Sequence, residues 1–339
     1  MPRLQAIGLL LSLLVAAGCS GKALDATPPA IAPAQAAESP PLSQAPAGVV
    51  RAVDGRPQSA IFDSHSAQLV IIAPGPNSAA PARLILLGPQ QTSQRVVDLP
   101  GPASALAGDG NGTVYMSARG GYFVVDLSAG RATRIRVRDT DSLDFSAIAL
   151  RSDGTLVLGT TEGMLFTLKP GATEGGRVSV HAHVDSLAAQ HNTIAVLDRG
   201  QTSITTVNAD GRIEQSLRAG QGATTMVADP AGRLLVTDTR GGELLVFGVE
   251  PLILRQAYPV ADSPYGVAGS RGLAWVSQTS ANIVIGYDLS TGIPLEKVRY
   301  PTVRQPNTLA FDDSADTLYV VSGAGEGVQV IEHAATGPR

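Results

Sequence analysis

The sequence predicts an all-β fold, a seven-bladed β-propeller of four-stranded blades closed by an N-terminal strand that completes the last blade. Three observations predict it. A short apolar strand recurs seven times at the spacing of a blade, and each copy has the same neighbours. The one strand missing from the last unit stands unused ahead of the first.

The recurring strand reads QLVIIA from Gln68, TVYMSA from Thr113, TLVLGT from Thr155, TIAVLD from Thr193, RLLVTD from Arg233, GLAWVS from Gly272 and TLYVVS from Thr317. Its second residues, Leu69, Val114, Leu156, Ile194, Leu234, Leu273 and Leu318, lie 45, 42, 38, 40, 39 and 45 positions apart. Before each copy comes a small-residue strand that ends in a turn, such as SAIALR at Ser146 or NTLAF at Asn307. After it come a Gly-rich or polar hairpin and a third strand, such as GYFVVDL at Gly121 or GELLVF at Gly242.

Each position in the unit has a physical reason. Innermost strands carry Ala, Gly and Ser because they crowd around an axis. Second and third strands are continuously apolar because neighbouring blades cover both of their faces. A more polar fourth strand follows in six units, as in QRVVDL from Gln94 and RIEQSL from Arg212, and the seventh unit runs out near His333. GVVRAVD from Gly48 is free to pair beside GVQVIE at Gly327, which closes the ring and removes an aggregation-prone edge. AspGly, GlyGly and AsnGly pairs at Asp153, Gly120 and Asn111 are hairpin chemistry, so the Asp residues of the blade turns are expected to be structural.

The ring is therefore expected over residues 48–334, with a short tail at 335–339. Ahead of it, Arg3 and the apolar run Ile7 to Ala17 are too short to span a bilayer but suit a secretory signal over residues 1–18. The run closes on Val15, Ala16, Ala17, Gly18 and Cys19, which resembles the bacterial lipobox, with Ala16 where that pattern prefers Leu. The resemblance implies that Cys19 is acylated and becomes the mature N-terminus. Cys19 is the only cysteine, so no internal disulfide is possible. Residues 19–47 are Ala, Pro, Ser and Gln with few branched apolar side chains, the composition of a disordered tether. The expected location is thus the extracytoplasmic face of a cell membrane, reached through the lipid.

Formal net charge is −4 without acidic or basic blocks, which argues against nucleic-acid binding. Lys occurs only at Lys22, Lys169 and Lys297 among 25 basic residues, a bias that suits a high-GC genome such as an actinobacterium.

The stretch from Ser263 to Gly337, with SPYGVA, GLAWVSQTSANIVIGYDLSTG and QPNTLAFDDSADTLYVVSGAGEGVQVIEHAATG, resembles the YVTN repeat. MVADPAGRLLVTDTRGGELLVFG from Met226 is similar to the related NHL repeat, while the first four blades match loosely. The resemblance implies a propeller fold and a role in surface display, as in actinobacterial envelope lipoproteins of this plan, and no particular reaction.

Candidate binding residues follow from blade equivalence. Hairpins between second and third strands build one face, and there stand Arg119, Arg199 and Arg240, with Glu162, Gln278, Asn282 and Glu326 in other blades. Three arginines on one rim can receive carboxylate or phosphate. The competing reading makes them solubilising residues, neutralised by Asp198 and Asp238. His181 and His183 alternate on an expected outer strand, too few for a metal site, and His65, His191 and His333 fall singly. No Ser, His and acid trio, nucleophile elbow or phosphate loop is present, and no cofactor is expected. Enzymes resembling gluconolactonases need axial carboxylates, and quinone-dependent dehydrogenases need Trp-rich motifs, whereas Trp275 is the only Trp. Tyr265 and Asn307 are the most polar innermost-strand residues. The sequence thus favours a non-enzymatic binding or scaffold module of the cell envelope, engaging a protein, glycan or small ligand. The alternative is a lactonase-like hydrolase or lyase with an axial metal-dependent site.

Overall fold

The computed structural model describes residues 30–88, 94–180 and 182–337. The signal, Cys19, the first part of the expected tether and His181 lie outside the described residues. Within them, seven antiparallel sheets of four strands each form a ring. The first six occupy residues 59–98, 106–136, 145–179, 186–218, 223–259 and 264–301, each running from the axis outward in chain order. The seventh joins residues 306–332 to the N-terminal strand Val49–Arg51.

The closure expected from the sequence is present in register, with Val49 opposite Val330, Val50 opposite Gln329 and Arg51 opposite Val328. Two glycines make it possible. Gly48 has φ +69° and Gly327 has φ +109°, and a Cβ on either would stand 2.1 Å from the carbonyl oxygen of Val330 or Arg51 respectively. Only glycine satisfies both the conformation and the approach.

The core consists of seven apolar clusters, each between two adjacent blades, and the alternation along each second strand explains why. Val70 and Ile72 face the second blade, whereas Leu69 and Ile71 face the seventh. In the fourth blade Thr193–Asp198 is buried along its whole length, and the outer strand Ile213–Arg218 is almost wholly exposed. Trp275 is fully buried, stacks on Phe311 at 5.5 Å across the sixth and seventh blades, and donates its indole N–H to Ser270 Oγ at 3.3 Å.

The blade-turn carboxylates are structural, as expected. Asp109 accepts from the amides of Asn111 and Thr113 at 2.7 and 3.0 Å, Asp229 from those of Ala231 and Arg233 at 3.0 and 2.9 Å, and Asp312 from that of Ser314 at 2.8 Å.

One expectation changes. From residue 30 onward the segment read as a disordered tether lies against the ring, with Ala34 and Ser39 buried at 7% and 2% exposure. Composition predicts disorder because such a segment cannot build a core of its own. It does not register that the ring supplies partners for the main chain. At the other end, the expected tail begins on the ring too, since the Ala335 amide donates to Asp316 at 2.9 Å.

Candidate functional site

Each innermost strand starts at the face made by the hairpins between second and third strands, here the loop face. The strands enclose an axial channel of about 1460 Å³. Its wall mixes apolar and polar surface: Ile61, Leu106, Ile148, Leu187, Met226, Val267 and Leu309 contribute the apolar part, with Ala between them. Polar groups gather where the strands begin, at Ser59, Ser186, Thr224, Tyr265, Asn307 and Thr308. The charged lining residues are Arg56, Arg83, Asp185 and Arg199, all at the loop-face mouth.

Asp185 is fixed there by chain geometry. Its carboxylate accepts the Arg199 amide at 2.7 Å and lies 3.3 Å from His183 Nδ1. His183 stands in the connection from the third blade to the fourth, not on an outer strand, because that strand ends at Ser179. Two polar atoms at this mouth, Ser186 Oγ and Arg199 Nε, are buried without a hydrogen-bond partner. Among the described residues no three His, Cys, Asp or Glu side chains gather closely enough to hold a metal. The donor set therefore does not fit the axial ion of the lactonase-like alternative.

Asp198 and Asp238 do not neutralise the rim arginines. Asp238, fully buried, accepts the amides of Gln221, Gly222 and Gly241 at 2.7, 2.8 and 2.8 Å. Asp198 accepts those of His183 and Gln201 at 2.8 and 2.7 Å. At the end of a second strand, a carboxylate stitches its own hairpin to the connection entering the blade.

Freed from those carboxylates, the rim side chains divide into two groups. Arg119 in the second blade is exposed and lies 3.8 Å from Asp144. Glu162 in the third blade is held below the usual carboxylate range, first by hydrogen bonding with Thr161 and less by the charge of His183. Neither meets the other candidates. Arg240, by contrast, donates to Ala32 O at 2.7 Å, Arg199 donates to Ala34 O, and Asn282 donates to Pro40 O at 2.9 Å. Glu326 accepts the Arg304 amide at 2.9 Å, and the Arg304 side chain donates to the carbonyls of Ser39 and Pro40 at 3.0 and 3.2 Å. Gln278 turns away, donating to Ala261 O at 3.0 Å.

Arg304 and Gln305 were not singled out in the sequence; they sit in the connection leading into the innermost strand of the seventh blade, which reaches the same face. Arg56, Arg83 and Asp185 were also missed, having no counterparts in other blades. The segment 31–40 carried no signal beyond its Pro content.

The fold defines the class: a seven-bladed β-propeller. No family model and no curated protein matches the chain by sequence. Solved structures match by shape. Kuenenia stuttgartiensis hydrazine synthase aligns with TM-score 0.66 and 13% identity over 85% of this chain and 99% of that one. A streptogramin B lyase aligns with TM-score 0.65 and 12% identity over 85% and 94%. A chain of a mitotic checkpoint complex aligns with TM-score 0.70 and 9% identity over 88% and 96%. At these identities the likeness is one of fold alone.

Proposed function

We propose that this chain is a lipid-anchored propeller of the YVTN and NHL plan, held at the extracytoplasmic face of the cell membrane by acylated Cys19. In this reading it acts as a non-enzymatic binding or scaffold module of the cell envelope, and its ligand site is the axial channel with its loop-face mouth. One observation carries the binding site: a channel ringed by branched apolar side chains whose mouth, among the described residues, presents the guanidinium groups of Arg56, Arg83 and Arg199 against the one carboxylate of Asp185. Such a site suits a ligand with an apolar body and an acidic end.

Decanoate is a direct probe. It should raise the melting temperature of the purified domain, decanol should do so less, and Arg56→Ala with Arg83→Ala should remove the difference between them. Equal responses to acid and alcohol would refute the assignment of the mouth. The anchor is tested separately by Cys19→Ala, which should abolish palmitate incorporation and release the chain from the membrane fraction.

A hydrolase or lyase at the axis is the second reading, favoured by the His183 and Asp185 pair at the mouth. Turnover of esters or lactones that His183→Ala abolishes would establish it. Protein that leaves esters and lactones unchanged would count against it.

A further inference from the structure

The loop face over the fourth to seventh blades is paved by the chain's own residues 31–40, and the bonding has a consistent chemistry. Four carbonyls, those of Ala32, Ala34, Ser39 and Pro40, accept hydrogen bonds from the side chains of Arg240, Arg199, Arg304 and Asn282. Ser39 adds a two-way clasp, donating its hydroxyl to Thr279 O at 2.7 Å while accepting the Gln305 amide at 2.7 Å. Its own amide donates to Gln305 Oε1. Ile31 and Ala37 anchor the start and middle through their amides, to Gly200 O at 2.8 Å and Ser263 Oγ at 3.2 Å.

The match is one of donors to acceptors. An Ala- and Pro-rich segment has small side chains and lacks amide protons at each proline, so its carbonyls are its main polar handle. A rim of guanidinium and carboxamide groups supplies the donors: Asp198 and Asp238 are spent on backbone amides, and Glu326, 3.9 Å from the Arg304 guanidinium, leaves that group free to reach the Ser39 and Pro40 carbonyls. Close fit follows from small residues: Ala34 Cβ stands where a Cβ on Gly222 would come within 3.0 Å. None of residues 31–40 lines the channel, so the segment flanks the mouth without plugging it.

We infer that the loop-face rim of the fourth to seventh blades is a recognition site for extended Ala- and Pro-rich polypeptide, and that residues 31–40 are its resident intramolecular occupant. This goes beyond the channel assignment and does not depend on it. A polypeptide of the same chemistry enters only by displacing the resident segment.

The test uses the chain from Ser20 onward, which keeps every described strand and carries no cysteine. A spin label at Gln35→Cys, an exposed position, reports the segment. The label should be immobile in the parent. It should become as mobile as in a free peptide when Arg199, Arg240 and Arg304 are changed together to Ala. Asn282→Gly, which keeps the left-handed backbone at φ 53°, should loosen it partly with the fold intact by circular dichroism. Excess synthetic peptide of residues 28–46 should mobilise the label, and each arginine lost should weaken peptide capture about tenfold. A mobile label in the parent, or immobility retained in the triple variant while the protein stays folded, would overturn the site. Dimers by light scattering, with the label immobile only in the dimer, would overturn the intramolecular assignment.

Discussion

Residues 49–51 and residues 31–40 both hold the N-terminal arm to the ring, but by different bonds. Val49–Arg51 enters a β-ladder, so its own backbone groups pair with those of Val328, Gln329 and Val330. Just beyond it, Val53 joins the cluster between the last and first blades, with Val328, Val330 and Tyr319. Residues 31–40 join no ladder and no apolar cluster; side chains of the rim hold their carbonyls. The difference separates closure from capture. A ladder strand is part of the fold, whereas a segment held by side chains can leave a ring that remains complete.

Removing residues 48–54 is the largest blow to that distinction. The third strand of the last blade becomes an edge, and the cluster loses Val53. The melting temperature should fall by about 10 °C or more, and light scattering should reveal association through the new edge. Unchanged melting would show that the ring does not depend on its seam.

Next comes Asp238→Ala. It leaves three amides at a buried site without an acceptor, at a cost of about 3 kcal/mol measurable by urea titration. Because Gly222 lies under Ala34, the same variant should also loosen residues 31–40. Loss of stability without that loosening would show that hairpin stitching and segment capture are independent.

The closure was legible in the sequence because a seventh unit without an outer strand and an orphan GVVRAVD leave one consistent pairing. Blade boundaries were legible because the period of the second strand is set by packing between blades, which composition records directly. The captured segment was not legible. Its residues carry no periodicity, and its partners Arg199, Arg240, Asn282 and Arg304 come from three different blades and a connection, related only by the ring. Arg199 and Arg240 were found as rim residues through blade equivalence, yet their partners are uncharged carbonyls that no charge pattern announces. Asp198 and Asp238 were misread for the same reason: backbone amides leave no trace in the sequence.

Alkaline pH should act on the ring, at the seam through Tyr319 and in the sixth blade through Tyr287, and spare the captured segment, which has no tyrosine. Burial pushes Tyr319 and Tyr287 up to about 12 from an ordinary value of 10.0. A phenol whose pKa is raised by folding contributes stability that is whole below the unfolded value and lost as pH climbs through the folded one. Stability should therefore decline between about pH 10 and 12. Tyr319 stacks on Phe62 at 5.7 Å across the seam, so Tyr319→Phe should remove part of the decline. An identical profile in that variant would place the sensitivity elsewhere.

The smallest effect is expected from deleting everything before Ala47. Every described strand and every member of the apolar clusters lies at or after Ala47. What goes is a set of side-chain bonds worth about 1 kcal/mol each, offset by the entropy released when the segment no longer has to be ordered. Melting should shift by only a few degrees, about 2 kcal/mol at most. Arg199, Arg240 and Arg304 then face solvent without their carbonyl partners, which water satisfies at little cost on an exposed rim. If this deletion melts as low as the loss of residues 48–54, capture is part of closure, and the two stretches of the arm form one structural element.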